Sequence, residues 1–335
     1  NDFALSWAIN SHNSNLPDYT ENIEMNHDRY GSMAQRLPVN GIYFQRMDAK
    51  LAMADASYQW IDIDPFGSPV PFIDSAIQSL ARTGVLEVTA TDTAALTGSS
   101  LSSQKRRYGA QGIVDDYAHD DAVRVLLGMI AKTAAMHDRI IKPILSLFDG
   151  HHVRVSVLIK TSKEAASNFQ EQLGYRLRTK DVPYKFIKYP SADQIKSASG
   201  PLWIGPLMDK EIAGRLTEEC AIQTCLPTSD ELEELIAKGL AWSDKDVEYA
   251  TREMIRSVKH ISSAADLLSR QHMLLSLNSM PRLAGTKGAP KMDDVISDLI
   301  ELGYSAARYP DMEPMFVTDA SFDDVISIFR KYHYD

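Results

Sequence analysis

Residues Tyr58 to Thr91 constrain this chain more than any other stretch. Tyr58-Gln59-Trp60-Ile61-Asp62-Ile63-Asp64-Pro65-Phe66-Gly67-Ser68-Pro69 starts as a short apolar run and breaks off in an acid, a proline, an aromatic and a glycine. The run is too short for a helix and suits a buried parallel strand, which Pro65 and Gly67 then stop. A helix is predicted next: Ser68 can cap it, Pro69 can open it, and Ile73, Ala76, Ile77 and Leu80 form one apolar face. Thr83-Gly84 is expected to end that helix, and Val85 to Thr91 reads as the next strand. Strand, helix and strand in this order make an α/β unit. Asp64, Pro65 and Phe66 then sit on a loop at the carboxyl end of a parallel sheet, where open α/β sheets bind their ligands.

The chemistry of that loop suits methyl transfer to an amine on a ring. An exocyclic amine on a nucleobase is a poor nucleophile because its lone pair is delocalised into the ring. A carboxylate that accepts hydrogen bonds from the amine localises the pair and takes the proton as charge develops. A neighbouring aromatic stacks on the base and holds it in line, and Pro65 stiffens the turn. The loop resembles the acid-Pro-Pro-aromatic loop of amino-methyltransferases that use S-adenosylmethionine. In its longer form, Asp64-Pro65-Phe66-Gly67-Ser68-Pro69, it is similar to the tRNA (guanine-N2)-dimethyltransferase family. The bland alternative for the short motif is a tight strand-to-helix turn without chemistry.

More of the chain carries the same resemblance. Thr91-Asp92-Thr93 and Lys105-Arg106-Arg107-Tyr108-Gly109 match family segments, as does Gly200-Pro201-Leu202-Trp203-Ile204-Gly205-Pro206-Leu207, read as a rigid apolar loop that packs Trp203. By itself Asp92 reads as structural, a partner for the backbone of the Asp64 loop. Arg107 and Tyr108 read as a phosphate contact or as a solvated loop. Asp2 and Asp48 each read as caps of the helices that follow. The resemblance implies more: Asp2 accepting the ribose hydroxyls of S-adenosylmethionine, Asp48 and Ala49 receiving its adenine, and Pro65 beside the cofactor. It also implies Asp92, Arg107 and Tyr108 on the substrate side, with Asp64 and Phe66 catalytic.

The expected architecture is a Rossmann-like S-adenosylmethionine methyltransferase sheet over residues 1–160, plus a smaller α+β RNA-binding domain over 161–335. Helices are expected over Asn26–Leu37 and Asp116–His137, the latter amphipathic, and a strand over Gly41–Met47. Ile141–Phe148 and Val153–Ile159 read as a hairpin about Asp149-Gly150-His151-His152, whose two histidines lack a third metal ligand nearby. Beyond Thr161, Tyr184-Lys185-Phe186-Ile187-Lys188-Tyr189 reads as an edge strand or as an aromatic–basic RNA surface. Thr228-x-x-Glu231 is a capping box. Asp293-Asp294-Val295-Ile296-Ser297 recurs as Asp323-Asp324-Val325-Ile326-Ser327, two helix starts about a pair of short strands.

Composition sets the remaining limits. The chain has 335 residues, 44% hydrophobic and 24% charged, as ordinary globular proteins do, with no run long enough to span a membrane. Cys220 and Cys225 are too few for a disulfide framework, so a cytoplasmic setting is expected. A net charge of −10 runs against a nucleic-acid partner unless the basic residues gather on one face. Many relatives carry a four-cysteine zinc ribbon before the Gly-Pro-Leu-Trp segment. Residues 171–199 hold no cysteine, so no metal is expected. The glycine-rich loop after a first strand is absent too, and the sequence opens in mid-pattern at Asn1, so a further N-terminal segment or a shortened form is expected. The resemblance implies methylation, once or twice, of the guanosine at the hinge between the D arm and the anticodon arm of tRNA, with no obligate protein partner evident. The rivals are an inactive RNA-binding scaffold and an amino-methyltransferase acting on DNA adenine or protein glutamine.

Overall fold

A computed structural model describes residues 37–39, 42–44, 47–54, 56–226, 244–270, 273–310 and 314–332, with residues 233 and 237. Asp2, the bulk of the helix expected over Asn26–Leu37 and the Thr228–Glu231 box lie outside them. The chain divides into two compact units, Asn1–Ala56 with Pro227–Val247 and Ser57–Leu226 with Glu248–Asp335.

In the first unit, β1 (Leu37–Val39) and β2 (Ile42–Phe44) pair antiparallel, and α1 (Ala49–Ala54) follows. Of the strand expected over Gly41–Met47, Ile42–Phe44 is described as strand, and its partner is a neighbour in sequence. The Asn40-Gly41 dipeptide between two apolar triplets is a sequence signal for such a hairpin.

The second unit is built on a four-stranded sheet of order β3-β4-β6-β5. β3 (Tyr58–Ile63) and β4 (Leu80–Ala90) run parallel, joined by α2 (Val70–Ser79), which buries Ile73, Ala76 and Ile77. The expected strand–helix–strand unit is present. Among the described residues β3 is the edge strand, however, and it alternates rather than being buried throughout: Ile61 and Ile63 face the core while Trp60 and Asp62 are exposed. Thr83-Gly84 does not stop the helix. The helix ends at Ser79, and both residues lie inside β4, opposite Lys160 and Ile159. A side chain at Gly84 would stand 3.0 Å from the Gln59 carbonyl oxygen, so the glycine admits the irregular register between Tyr58 and Trp60.

Two short helices, α3 (Thr93–Leu96) and α4 (Leu101–Tyr108), lead to α5 (Ala118–Met136). The hairpin of β5 (Arg139–Phe148) and β6 (Val153–Thr161) then closes the sheet antiparallel, with β6 between β4 and β5. The expected apolar face of α5 is buried, but so are Asp120, Asp121 and Arg124, because a second sheet covers the opposite side. After α6 (Lys163–Ser167), that sheet has order β8-β7-β9, from β7 (Leu173–Arg178), β8 (Tyr184–Ile187) and, after α7 (Ala192–Ile195), β9 (Ala198–Trp203). Tyr184–Ile187 is an edge strand, one of its two readings. The Gly200–Trp203 segment is a strand, not a loop. Trp203 is buried, and its indole Nε1 donates to the Pro206 carbonyl at 2.8 Å.

Helices α8 (Lys210–Ala213), α9 (Glu218–Cys225) and α10 (Asp244–Leu268) precede a last module. It holds β10 (Met273–Ser276), α11 (Met280–Ala284), α12 (Met292–Glu301), β11 (Ala306–Arg308), β12 (Met315–Thr318) and α13 (Phe322–Lys331). The repeated Asp-Asp-Val-Ile-Ser segments fall in α12 and α13, and the two strands between them pair antiparallel as expected. Val295, Leu299, Phe316, Val325 and Phe329 form its core.

Candidate active site

Because β3 and β4 are parallel, the loops after them emerge at one edge of the sheet. The Asp64–Pro69 loop leaves β3 there and the Thr91-Asp92 turn leaves β4. Asp64 is exposed, and Phe66 is wholly exposed, with a relative accessibility of 102%. A lone aromatic ring in water on a short loop has nothing beside it to fix its direction, so the backbone on either side must do so. Pro65 restricts the chain before it. After it, Gly67 adopts φ +80°, a conformation that residues with a side chain rarely take, with open space around its Cα.

The loop is also tied down. Gly67 N–H donates to the Thr91 Oγ1 at 2.6 Å, and Thr91 N–H donates to the Gly67 carbonyl at 3.0 Å. One residue further, Ser68 Oγ lies 3.1 Å from the Tyr108 hydroxyl, which donates to Asp92 Oδ1 at 2.6 Å. The phenol hydrogen is committed to a carboxylate that can only accept, so Ser68 is the donor to Tyr108. Ser68 therefore does not cap α2, whose N-cap is Pro69. Burial, and then the bond to Asp92, push the Tyr108 phenol well above its ordinary pKa, so it stays protonated. Arg107 Nη1 donates to Asp92 Oδ2 at 2.8 Å. Helix α4 brings these groups together. Lys105, Arg106 and Arg107 occupy its last turn, where cations suit the helix dipole, and Tyr108 points inward beneath the loop.

The structure thus joins Asp92, Arg107 and Tyr108 into one network below Asp64, Pro65 and Phe66. Tyr108 is buried rather than offered to a phosphate, while Arg107 is half exposed at the rim. The hold on the loop backbone that the sequence reading gave to Asp92 comes instead from its neighbour Thr91, while Asp92 accepts from Arg107 and Tyr108.

Arg154 is a residue that the sequence reading missed. Its Nη1 donates to Thr89 Oγ1 at 2.6 Å, and its Nη2 lies 2.9 Å from Asp62 and 3.2 Å from Glu87. Burial would lower its pKa, but the Asp62 bond and the charges of Asp62, Glu87 and Asp64 outweigh this and raise it. The site therefore gathers three carboxylates about one guanidinium. Only the register of β6 against β4 brings Arg154 there, and no local signal announces that pairing.

In the first unit, Asp48 Oδ1 accepts from the N–H groups of Lys50 (2.9 Å) and Leu51 (3.3 Å), the cap that its position suggested. Both bonds use Oδ1, so Oδ2 can still receive an amine, and Ala49 beside it adds almost no bulk. That acceptor, beside a small residue, fits the exocyclic amine of an adenine.

A groove of about 870 Å³ beside Ile141, Pro143 and Met208 lies at the start of β5, which runs in the same direction as β4. It is therefore at the opposite end of the sheet from Asp64. Among the described residues, no three His, Cys, Asp or Glu side chains gather so as to hold a metal, and no helix is long and apolar enough to cross a membrane.

A parallel strand pair closed by an antiparallel hairpin, with an exposed acid and aromatic at its carboxyl edge, places the protein among the Rossmann-like methyltransferases. The model of the N2,N2-dimethylguanosine tRNA methyltransferase family matches residues 12–330, and the chain belongs to that family. It is 36% identical over 216 residues to the tRNA (guanine(26)-N(2))-dimethyltransferase of Metallosphaera sedula, covering 61% of this chain and 56% of the relative. To the enzyme of the same name from Archaeoglobus fulgidus it is 30% identical over 292 residues, covering 84% and 72%. The structure of Trm1 from Pyrococcus horikoshii in complex with S-adenosyl-L-methionine superposes with a TM-score of 0.70 at 27% identity, covering 92% of this chain and 77% of that one. The match to the Metallosphaera relative spans little more than half of that protein's length.

Proposed function

We propose that the protein transfers methyl groups from S-adenosylmethionine to the exocyclic N2 of a guanosine in tRNA, at position 26 as in its relatives' names, adding one and then a second. The observation that carries this reading is the Asp64–Pro69 loop, which presents a carboxylate and a fully exposed aromatic ring together at the carboxyl edge of a parallel strand pair. The base lies inside folded RNA and must be flipped out, at a cost of about a few kcal/mol. Phe66 stacks on the flipped guanine. Asp64 accepts hydrogen bonds from its amine, aims the lone pair, and takes the proton as the nitrogen becomes cationic. S-adenosylmethionine, when bound, supplies an electrophilic methyl group. Asp48 and Ala49 receive its adenine and Asp2 its ribose, and Pro65 is assigned a cofactor contact of its own. Arg107 at the rim meets the RNA backbone, while Asp92 and Tyr108 act on the substrate through the loop. Residues 1–160 provide the methyl transfer and 161–335 the grip on RNA, in the cytoplasm.

The test is nucleoside mass spectrometry of unmodified tRNA incubated with the protein and S-adenosylmethionine. N2-methylguanosine and N2,N2-dimethylguanosine should accumulate in turn. Unchanged guanosine in tRNA, with methylated adenine in DNA or methylated glutamine in protein, would overturn the substrate assignment.

A further inference from the structure

We propose that Thr91 and Tyr108 are positioning residues that clamp the Asp64–Ser68 loop in its working conformation, an inference that rests on the methyl-transfer reading above. Asp64 and Phe66 are both exposed, so neither is fixed by packing around its side chain. The backbone between Ile63, the end of β3, and Pro69, the N-cap of α2, sets the direction in which both side chains leave the chain. In that interval every tether named above comes from the turn after β4 or from α4. The side chain and the amide of Thr91 grip Gly67 from both directions. The Tyr108 hydroxyl receives Ser68 and is itself anchored on Asp92, which Arg107 holds from the far side.

The two grips differ in kind. Thr91 is exposed and its hydroxyl accepts a single N–H, so its contribution is one hydrogen bond aimed at one backbone atom. Tyr108 is buried and its phenol stays protonated. It therefore presents the same face to Ser68 whatever the charge of the substrate above. Neither residue needs to touch the base. A catalytic group that must meet a flipped amine in line loses rate steeply when it is displaced, by up to about a hundredfold for a shift near 1 Å. Loosening the loop should therefore reduce turnover while leaving the RNA contacts elsewhere intact.

The experiment compares Thr91→Val, Thr91→Ser and Tyr108→Phe with the wild type by steady-state methylation of tRNA and by hydrogen exchange at the Gly67 amide. Thr91→Val keeps the shape and removes the acceptor. Its Gly67 exchange should quicken by about tenfold or more, and kcat should fall by about ten- to a hundredfold while KM for tRNA holds. Thr91→Ser restores the acceptor and should restore both. Tyr108→Phe should lower kcat with little change in Tm. The clamp is overturned if Thr91→Val turns over at the wild-type rate, or if Thr91→Ser is as slow as Thr91→Val. A wild-type protein that methylates no tRNA would overturn the methyl-transfer reading instead. Gly67 exchange would then still decide the clamp: quickening in Thr91→Val supports it, and unchanged exchange overturns it.

Discussion

Asp62 and Asp64 stand two residues apart, the first bonded to Arg154 and the second at the point where the chain leaves the sheet. Replacing each by Asn keeps its shape and removes its charge. Asp64→Asn should lose about a hundredfold or more in methylation rate, the usual scale for a general base, with tRNA affinity and Tm near normal. Asp62→Asn breaks an ion pair whose partners are both partly exposed, so its cost is at most about 1 kcal/mol by denaturant titration, and its rate should stay within a few-fold. Equal rates in the two variants would remove Asp64 from the mechanism. Phe66→Ala should weaken binding of the flipped base by about 1–3 kcal/mol, and Phe66→Tyr should keep most of it. Because the ring is wholly exposed, Phe66→Ala should leave Tm unchanged; a lower Tm would show that the ring packs the loop. Asp64 and Phe66 were legible in the sequence because proline, glycine and strand length fix where they emerge. Tyr108 was named from the sequence for the substrate side, but its hold on the loop was not legible, because that depends on Ser68, forty residues earlier, and on the fold that brings the two hydroxyls together.

Among the elements, α5 shows how far periodicity can be trusted. Its apolar stripe was readable, but its second buried face was not, since polar residues count as exposed until a partner is known. The partner is Arg176 of β7, fully buried, which donates to Asp121 at 2.6 and 2.7 Å and to Asp115 at 2.9 and 3.0 Å. Burial raises the Asp121 pKa against the pull of Arg176. Asp121→Ala would strand part of a buried charge and should destabilise by about 3–5 kcal/mol in a urea titration. A loss below about 1 kcal/mol would mean that water reaches the pair. Thr83-Gly84 misled in the opposite way: a helix-stopping dipeptide in sequence became part of β4 because β6 pairs there, Thr83 opposite Lys160 and Gly84 opposite Ile159. In α10, burial, then Arg308 and Arg256, lower the pKa of His260. Protonation thus favours the unfolded chain. The His260 contribution is fully present above the unfolded value near 6.5 and is lost as pH falls through the folded one. Between about pH 7.5 and 5.5 the wild type should lose more Tm than His260→Gln; parallel losses would exclude His260.

For the whole molecule, the net charge of −10 and a tRNA substrate pull in opposite directions. If a local basic surface grips the RNA, affinity should fall steeply between about 50 and 200 mM salt, in proportion to the phosphates contacted. A nearly flat salt response would count against an RNA-gripping role for residues 161–335. The general architecture was legible from sequence because the strand–helix–strand unit and the hairpin are local patterns. The ties between distant segments were not: Ser276 Oγ donates to Asp116 Oδ2 at 2.9 Å, and Leu274 N–H to the Tyr184 hydroxyl at 3.0 Å. The clamped loop has a thermodynamic counterpart. Ordering a flexible backbone costs about 1–2 kcal/mol of entropy per residue. A slack Asp64–Ser68 segment would incur that cost at each encounter with RNA. Held by Thr91 and Tyr108, it incurs the cost once, when the chain folds, and each later turnover begins with the loop already in order.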